Sequence, residues 1–183
     1  MNKAVFFVDG HQEKLFLQKV CGSPTIRRIG CNGCSVSTSA IAKRIASQCR
    51  LLHGKCYPII VWVDLENRSV TAKAFASELL KSLIAEGVED SITVGVADHC
   101  IENWILADKQ IVESYCSGKI PYPEQFDGYN GKSRIKKLIP DYNETTTGVE
   151  LLSKCRPSHM VQSPSFKAFY DQLPKDGCRW LMR

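Results

Sequence analysis

A chain of 183 residues, 44% hydrophobic and 23% charged, has the make-up of a single globular domain long enough to bury a core. Its net charge of +5 lies mostly beyond residue 118, which permits contact with phosphates without requiring it. The first apolar run, residues 4–8, ends at Asp9, too short for an export signal or a membrane span. The cytoplasm is therefore the expected compartment. The nine cysteines, several on apolar helix faces, then read as small hydrophobes and not as a disulfide framework.

Residues 4–8, Ala-Val-Phe-Phe-Val, predict a buried strand stopped by Asp9-Gly10. A helix over 11–20 carries Leu15, Phe16 and Val20, and a second strand falls near 25–29. Ser37 or Ser39 can cap a helix whose stripe is Ile41, Ala42, Ile45, Ala46, Cys49 and Leu52. Pro58 opens Ile59-Ile60-Val61-Trp62-Val63, the strongest strand pattern in the chain, ending at Asp64. An amphipathic helix through Phe75, Leu79 and Leu83 closes at Gly87. A strand over 92–97 and a helix through Ile101, Trp104, Ile105, Ile111 and Val112 follow, with Trp104 as a core residue. Beyond Ser117 the periodicity fades: 118–131 reads as a long loop, with short helices near 132–139 and 164–173. This alternation predicts an α/β fold with a central, mainly parallel sheet flanked by helices. It is read as one domain over 1–183, with a sheet core over 1–117 and a loop and helical appendage over 118–183.

Ligands gather at the carboxyl ends of strands in open parallel sheets, and two acidic clusters fall there. Asp9 ends the first strand, with Glu13 one helical turn on. Asp64 and Glu66 follow the strongest strand. Either aspartate alone reads as a helix cap or loop residue. Two strand ends with paired acids read as a cation site, because converging carboxylates repel unless a cation such as Mg²⁺ lies among them.

Four stretches then resemble one family in order. Phe6-Phe7-Val8-Asp9-Gly10-His11-Gln12-Glu13 looks like the opening glutamate motif of TOPRIM domains, the fold of topoisomerases, primases and the overcoming-lysogenization-defect nucleases. Val61-Trp62-Val63-Asp64-Leu65-Glu66 resembles their Asp-x-Asp motif. Ile101-Glu102-Asn103-Trp104-Ile105-Leu106-Ala107-Asp108 is similar to a Glu-x-Trp-Leu-Leu-Ala-Asp stretch of a short bacterial TOPRIM-like family encoded beside ATPases in antiviral defence loci. Ser163-Pro164-Ser165-Phe166-Lys167 resembles that family's closing helix. The resemblance implies a TOPRIM/Rossmann-like fold and a nuclease dependent on Mg²⁺ or Mn²⁺. In it Asp9, Glu13 and Asp64 are catalytic, Asp9, Asp64 and Glu66 hold the metal, and Glu102 supports them. It also implies DNA or RNA as substrate and a partner ATPase. Asp9 stands where the family has Glu, and Glu66 where Asp is usual. These departures leave open a non-catalytic TOPRIM-like subunit that binds a partner ATPase or nucleic acid.

Other motifs weigh less. Cys31-Asn32-Gly33-Cys34 supplies half of a zinc site, but a second ligand pair is missing, so reduced thiols without zinc are expected and a zinc-stabilised binding module is the remaining alternative. Gly128-Tyr129-Asn130-Gly131-Lys132-Ser133 fails the P-loop spacing and follows no strand; it reads as a helix start. Lys132, Arg134, Lys136 and Lys137 form a basic stretch, either a solvated face or a contact for nucleic-acid phosphates. The scattered histidines have no serine or cysteine partner at a nucleophile elbow.

Overall fold

Runs of β-branched and aromatic residues build a single sheet in the computed structural model, which describes residues 3–22, 24–30, 33–52, 56–88, 91–116, 121–174, 178 and 180. The strands β1 (Lys3–Val8), β2 (Thr25–Arg28), β3 (Cys56–Asp64) and β4 (Ile92–Ala97) lie in the order β2-β1-β3-β4, and every pair is parallel. The architecture is α/β, with helices on both faces of the sheet.

Alternation along the strands divides the core in two. Val5 and Phe7 of β1 and Ile59, Val61 and Val63 of β3 meet α2 (Thr38–Leu52) and α3 (Ala72–Ala85) on one face. Ala4, Phe6, Val8, Ile60 and Trp62 face the other way. There they meet α1 (His11–Val20) and helices from the second half of the chain: α4 (Glu102–Leu106), α5 (Lys109–Glu113), α6 (Gly131–Leu138), α7 (Val149–Lys154), α8 (Pro157–Met160) and α9 (Pro164–Tyr170). A π-helical turn, Glu144–Gly148, leads into α7.

Local chemistry explains the helix ends. Ser37, one of the two expected caps, accepts from the Ala40 amide, and Thr71 accepts from that of Ala74. Gly87, at φ +79°, ends α3 in the left-handed region that a residue without Cβ enters readily. The single helix expected over 101–112 is broken into α4 and α5 at Asp108. That side chain is fully buried; it accepts the Arg156 amide at 2.9 Å and sits beside the Arg156 guanidinium and the His159 ring. Its carbonyl starts the next helix by accepting from Ile111 and Val112.

The π-helical turn, α7 and α8 have no counterpart in the sequence pattern. Each spans six residues or fewer, too short for a periodic signal. Asn143 sets the first of them by accepting from the Thr145 and Thr146 amides. The cysteines also depart from expectation. Cys100 and Cys155 are buried free thiols, whereas Cys21, after α1, is disulfide-bonded to Cys178. Among the described residues no helix is long and apolar enough to cross a membrane.

Candidate functional site

The strand order sets the site. The chain passes from β1 outward to β2, then back across to β3, so connections leave adjacent β1 and β3 in opposite directions. A crevice opens at their carboxyl ends, the position where open α/β sheets place ligands. Asp9 leaves β1 with its amide still donating to Trp62 of β3 (3.2 Å), and Asp64 is the last residue of β3. Gly10 starts α1, whose first turn carries Gln12 and Glu13 inward, and α4 begins at Glu102 after β4. Asp9, Glu13, Asp64, Glu66 and Glu102 line one cavity of about 130 Å³, together with Lys132. The structure thus brings together all five acids expected from the sequence.

Asp9, Glu13 and Glu102 retain only 6%, 3% and 1% of their exposure. Asp64 is half-buried but has one enclosed carboxylate oxygen. Burial, with Glu66 nearby, pushes Asp9 up to about 6, against the guanidinium groups of Arg68 and Arg28. Burial, opposed by hydrogen bonds from backbone amides, and then the charges of Glu102 and Asp9 push Glu13 up to about 7. Asp64 is raised well above the carboxylate range by burial and by Glu13, Glu102, Asp9 and Glu66.

Three of these acids carry a buried oxygen with no hydrogen-bond partner among the described residues: Asp9 Oδ1, Glu13 Oε2 and Asp64 Oδ1. An enclosed acceptor left without a donor costs about 1–3 kcal/mol, a cost that an electropositive group in the cavity would relieve. Oxygen donors of this kind fit Mg²⁺ or Mn²⁺. As they stand, no three His, Cys, Asp or Glu side chains among the described residues are arranged to hold a metal ion. Binding therefore requires the carboxylates, which repel one another, to turn inward.

Glu66 sits in the left-handed region at φ +58°, its amide donating to His99, itself at φ +56°. A side chain there costs roughly 1–2 kcal/mol. Glu66→Gly is expected to be more stable than Glu66→Ala by about 1 kcal/mol, since both lose the carboxylate and only glycine relieves the backbone. Equal urea midpoints for the two variants would show that the backbone is unstrained.

Of the four basic candidates, only Lys132 reaches the carboxylates. It pairs with Glu144 at 2.9 Å, and Glu144 and Glu102 hold its ammonium protonated despite burial. Arg134 donates to the Gln125 carbonyl and lies 3.8 Å from the Tyr129 ring centre, while Lys136 and Lys137 are exposed on α6. Sequence reasoning missed Gln12, Tyr142, Glu144 and Thr145. Gln12 and Tyr142 form a buried chain to Glu102, and Glu144 and Thr145 line the cavity. Only Gln12 carried a signal, lying between Asp9 and Glu13 in the opening motif.

The remaining motifs resolve into structure. Cys31 lies outside the described residues, and Cys34 is an exposed free thiol. Asn130 caps α6 by accepting from Ser133, so the glycine-rich stretch is a helix start. In the closing Ser-Pro-Ser-Phe stretch, Ser163 caps α9 and donates to Asp127, while Ser165 accepts the Trp104 indole N–H at 2.8 Å. The family described as Domain of unknown function (DUF4276) matches residues 8–174. No curated protein matches the chain, and no solved structure does.

Proposed function

The chain belongs to the DUF4276 family, and from the carboxylate cavity that its fold builds we propose that it is a divalent-cation-dependent nuclease of the TOPRIM type. The observation that carries this reading is the set of three buried oxygens with no partner among the described residues, on Asp9, Glu13 and Asp64, around one cavity at the switch point of the sheet. Asp9, Asp64 and Glu66 are the residues to hold Mg²⁺ or Mn²⁺, and Glu13 and Glu102 support them. Bound there, the cation would polarise a phosphodiester and make its bound water more acidic. The chain's own groups supply the rest. Glu13, whose proton affinity burial raises in the cation-free cavity, is the group to act as general acid or base. Lys132 meets a phosphate oxygen at the cavity, and Lys136 and Lys137 offer charge to neighbouring phosphates of DNA or RNA. The resemblance adds antiviral defence with a partner ATPase as the setting.

Supercoiled plasmid and single-stranded RNA, each incubated with the protein in Mg²⁺, Mn²⁺ or EDTA, test the reading. Cleavage of at least one is expected with a cation, none in EDTA, and a loss of about 100-fold or more in Asp64→Ala. Intact substrates under every condition, with no cation effect on melting, would overturn it.

A second reading has specific support. Asp9 and Glu66 invert the acid lengths of the motifs they resemble, and the ligands are not preset. A non-catalytic subunit that binds a partner ATPase would bind the cation, shift in melting temperature, and leave both substrates whole.

A further inference from the structure

Glu102 differs from the other buried acids of the cavity in being held by side-chain donors. Its Oε1 accepts from the Tyr142 hydroxyl at 2.9 Å, and the Cys100 thiol is hydrogen-bonded to the same side chain. The Tyr142 oxygen in turn accepts from Gln12 Nε2 at 3.2 Å. We propose that Tyr142 is a positioning residue: with Gln12 behind it, its hydroxyl fixes the Glu102 carboxylate towards the cavity, so that a divalent cation meets an oriented charge.

The geometry leaves the chain little freedom. A hydroxyl has one proton; giving it to Glu102 leaves a lone pair for the Gln12 amide, which can only donate from that nitrogen. Gln12, Tyr142 and Glu102 are all buried, so water does not compete. Gly148 closes over the pair: a Cβ there would lie 2.6 Å from both Gln12 Nε2 and Tyr142 Oη. The π-helical turn that ends in Gly148 therefore presses its backbone against the two side chains. Glu102 raises the proton affinity of both Glu13 and Asp64 by its charge, so its orientation is felt by the acids with free oxygens. Partners that orient ligands in this way change metal affinity by 10- to 100-fold when removed.

The inference rests on the cation-binding reading, and one experiment separates their failures. Mn²⁺ titrations of the full chain, followed by melting temperature and calorimetry, compare the parent with Tyr142→Phe, Glu102→Gln, the double variant and Gln12→Met. Tyr142→Phe keeps the ring and is expected to weaken Mn²⁺ binding about tenfold or more, with a smaller loss in Gln12→Met. In the Glu102→Gln background the same change should weaken binding no further, since the hydroxyl acts through that carboxylate. A dissociation constant within about twofold of the parent in Tyr142→Phe, or an equal loss with and without Glu102, would overturn the positioning role. A parent with no Mn²⁺ response would remove the cation site and the positioning role together.

Discussion

Asp64→Asn is expected to raise the melting temperature of the cation-free protein at pH 8 and to abolish its response to Mn²⁺. Asp64 is pressed by burial and by the charges of Glu13, Glu102, Asp9 and Glu66, and its enclosed Oδ1 has no donor among the described residues. An amide of the same shape removes the charge and with it the repulsion. The effect is tied to pH. Asp9, Glu13 and Asp64 all bind protons more tightly when folded, from ordinary values near 4 to about 6 and about 7 for the first two. Between those limits the folded chain holds more protons than the unfolded one. The contributions of Asp9 and Glu13 to stability are therefore present below about pH 4 and lost as pH rises to about 7, and that of Asp64 is lost as pH rises through its own raised value. Each tenfold gain in proton affinity on folding is worth about 1.4 kcal/mol, so the loss is on the order of a few kcal/mol. The parent should melt lower at pH 8 than at pH 5 without a cation. Mn²⁺ at about 100 times its dissociation constant should return roughly 2.7 kcal/mol at pH 8. Asp64→Asn should show a flatter pH profile and little Mn²⁺ shift. A variant destabilised by about 1–3 kcal/mol, with the Mn²⁺ shift intact, would instead mark Asp64 as a structural acceptor.

The largest stability loss is expected from Trp104→Ala. The indole is fully buried, stacked on Trp62 at 5.2 Å and Phe169 at 5.5 Å, and set edge-on to Phe166 at 5.0 Å. It ties β3 to α9 through one ring. Truncating a buried Trp costs about 3–5 kcal/mol, and each aromatic pair adds roughly 0.5–1.5 kcal/mol beyond area. The stranded Ser165 hydroxyl adds little, because it still accepts from the Asp98 amide and lies 3.2 Å from the Ser163 hydroxyl. Urea unfolding of Trp104→Ala and Ser165→Ala separates ring from hydrogen bond, with the serine change costing about 1 kcal/mol. A loss below about 1 kcal/mol in Trp104→Ala would contradict the aromatic cluster, since deletions of this size normally cost several times that.

What could be read before folding divides along physical lines. β1 and β3 were legible because apolar runs end abruptly at Asp9 and Asp64. The parallel-sheet rule then placed those two acids, with their neighbours Glu13 and Glu66, at one edge. Glu102 was legible by resemblance. The partners of Glu102 were not: Gln12 and Tyr142 are 130 residues apart and meet only through packing. Nor was the burial that raises Asp9, Glu13 and Asp64, which depends on what covers the cavity. The second half of the chain hid its short helices for a related reason. A turn such as Glu144–Gly148 is set by the Asn143 cap and by contacts with α1 and α7, not by a repeating pattern. The break at Asp108 came from Arg156 and His159, which no local rule connects to it.

The two-sided covering of the sheet has a consequence for synthesis. α2 and α3 emerge between the strands they cover, so that side closes as the sheet forms. The opposite side, with Phe6, Ile60 and Trp62, waits for Ile135, Leu151, Phe166, Phe169 and Trp180, all made long after the strands they cover. Until then a nascent chain presents an apolar sheet surface, the kind of surface that chaperones hold and that aggregates when they do not. The acid cavity shares this schedule, because Lys132, Tyr142 and Glu144 arrive on the same late segment. A chain made only as far as its first two acid clusters therefore has no assembled site.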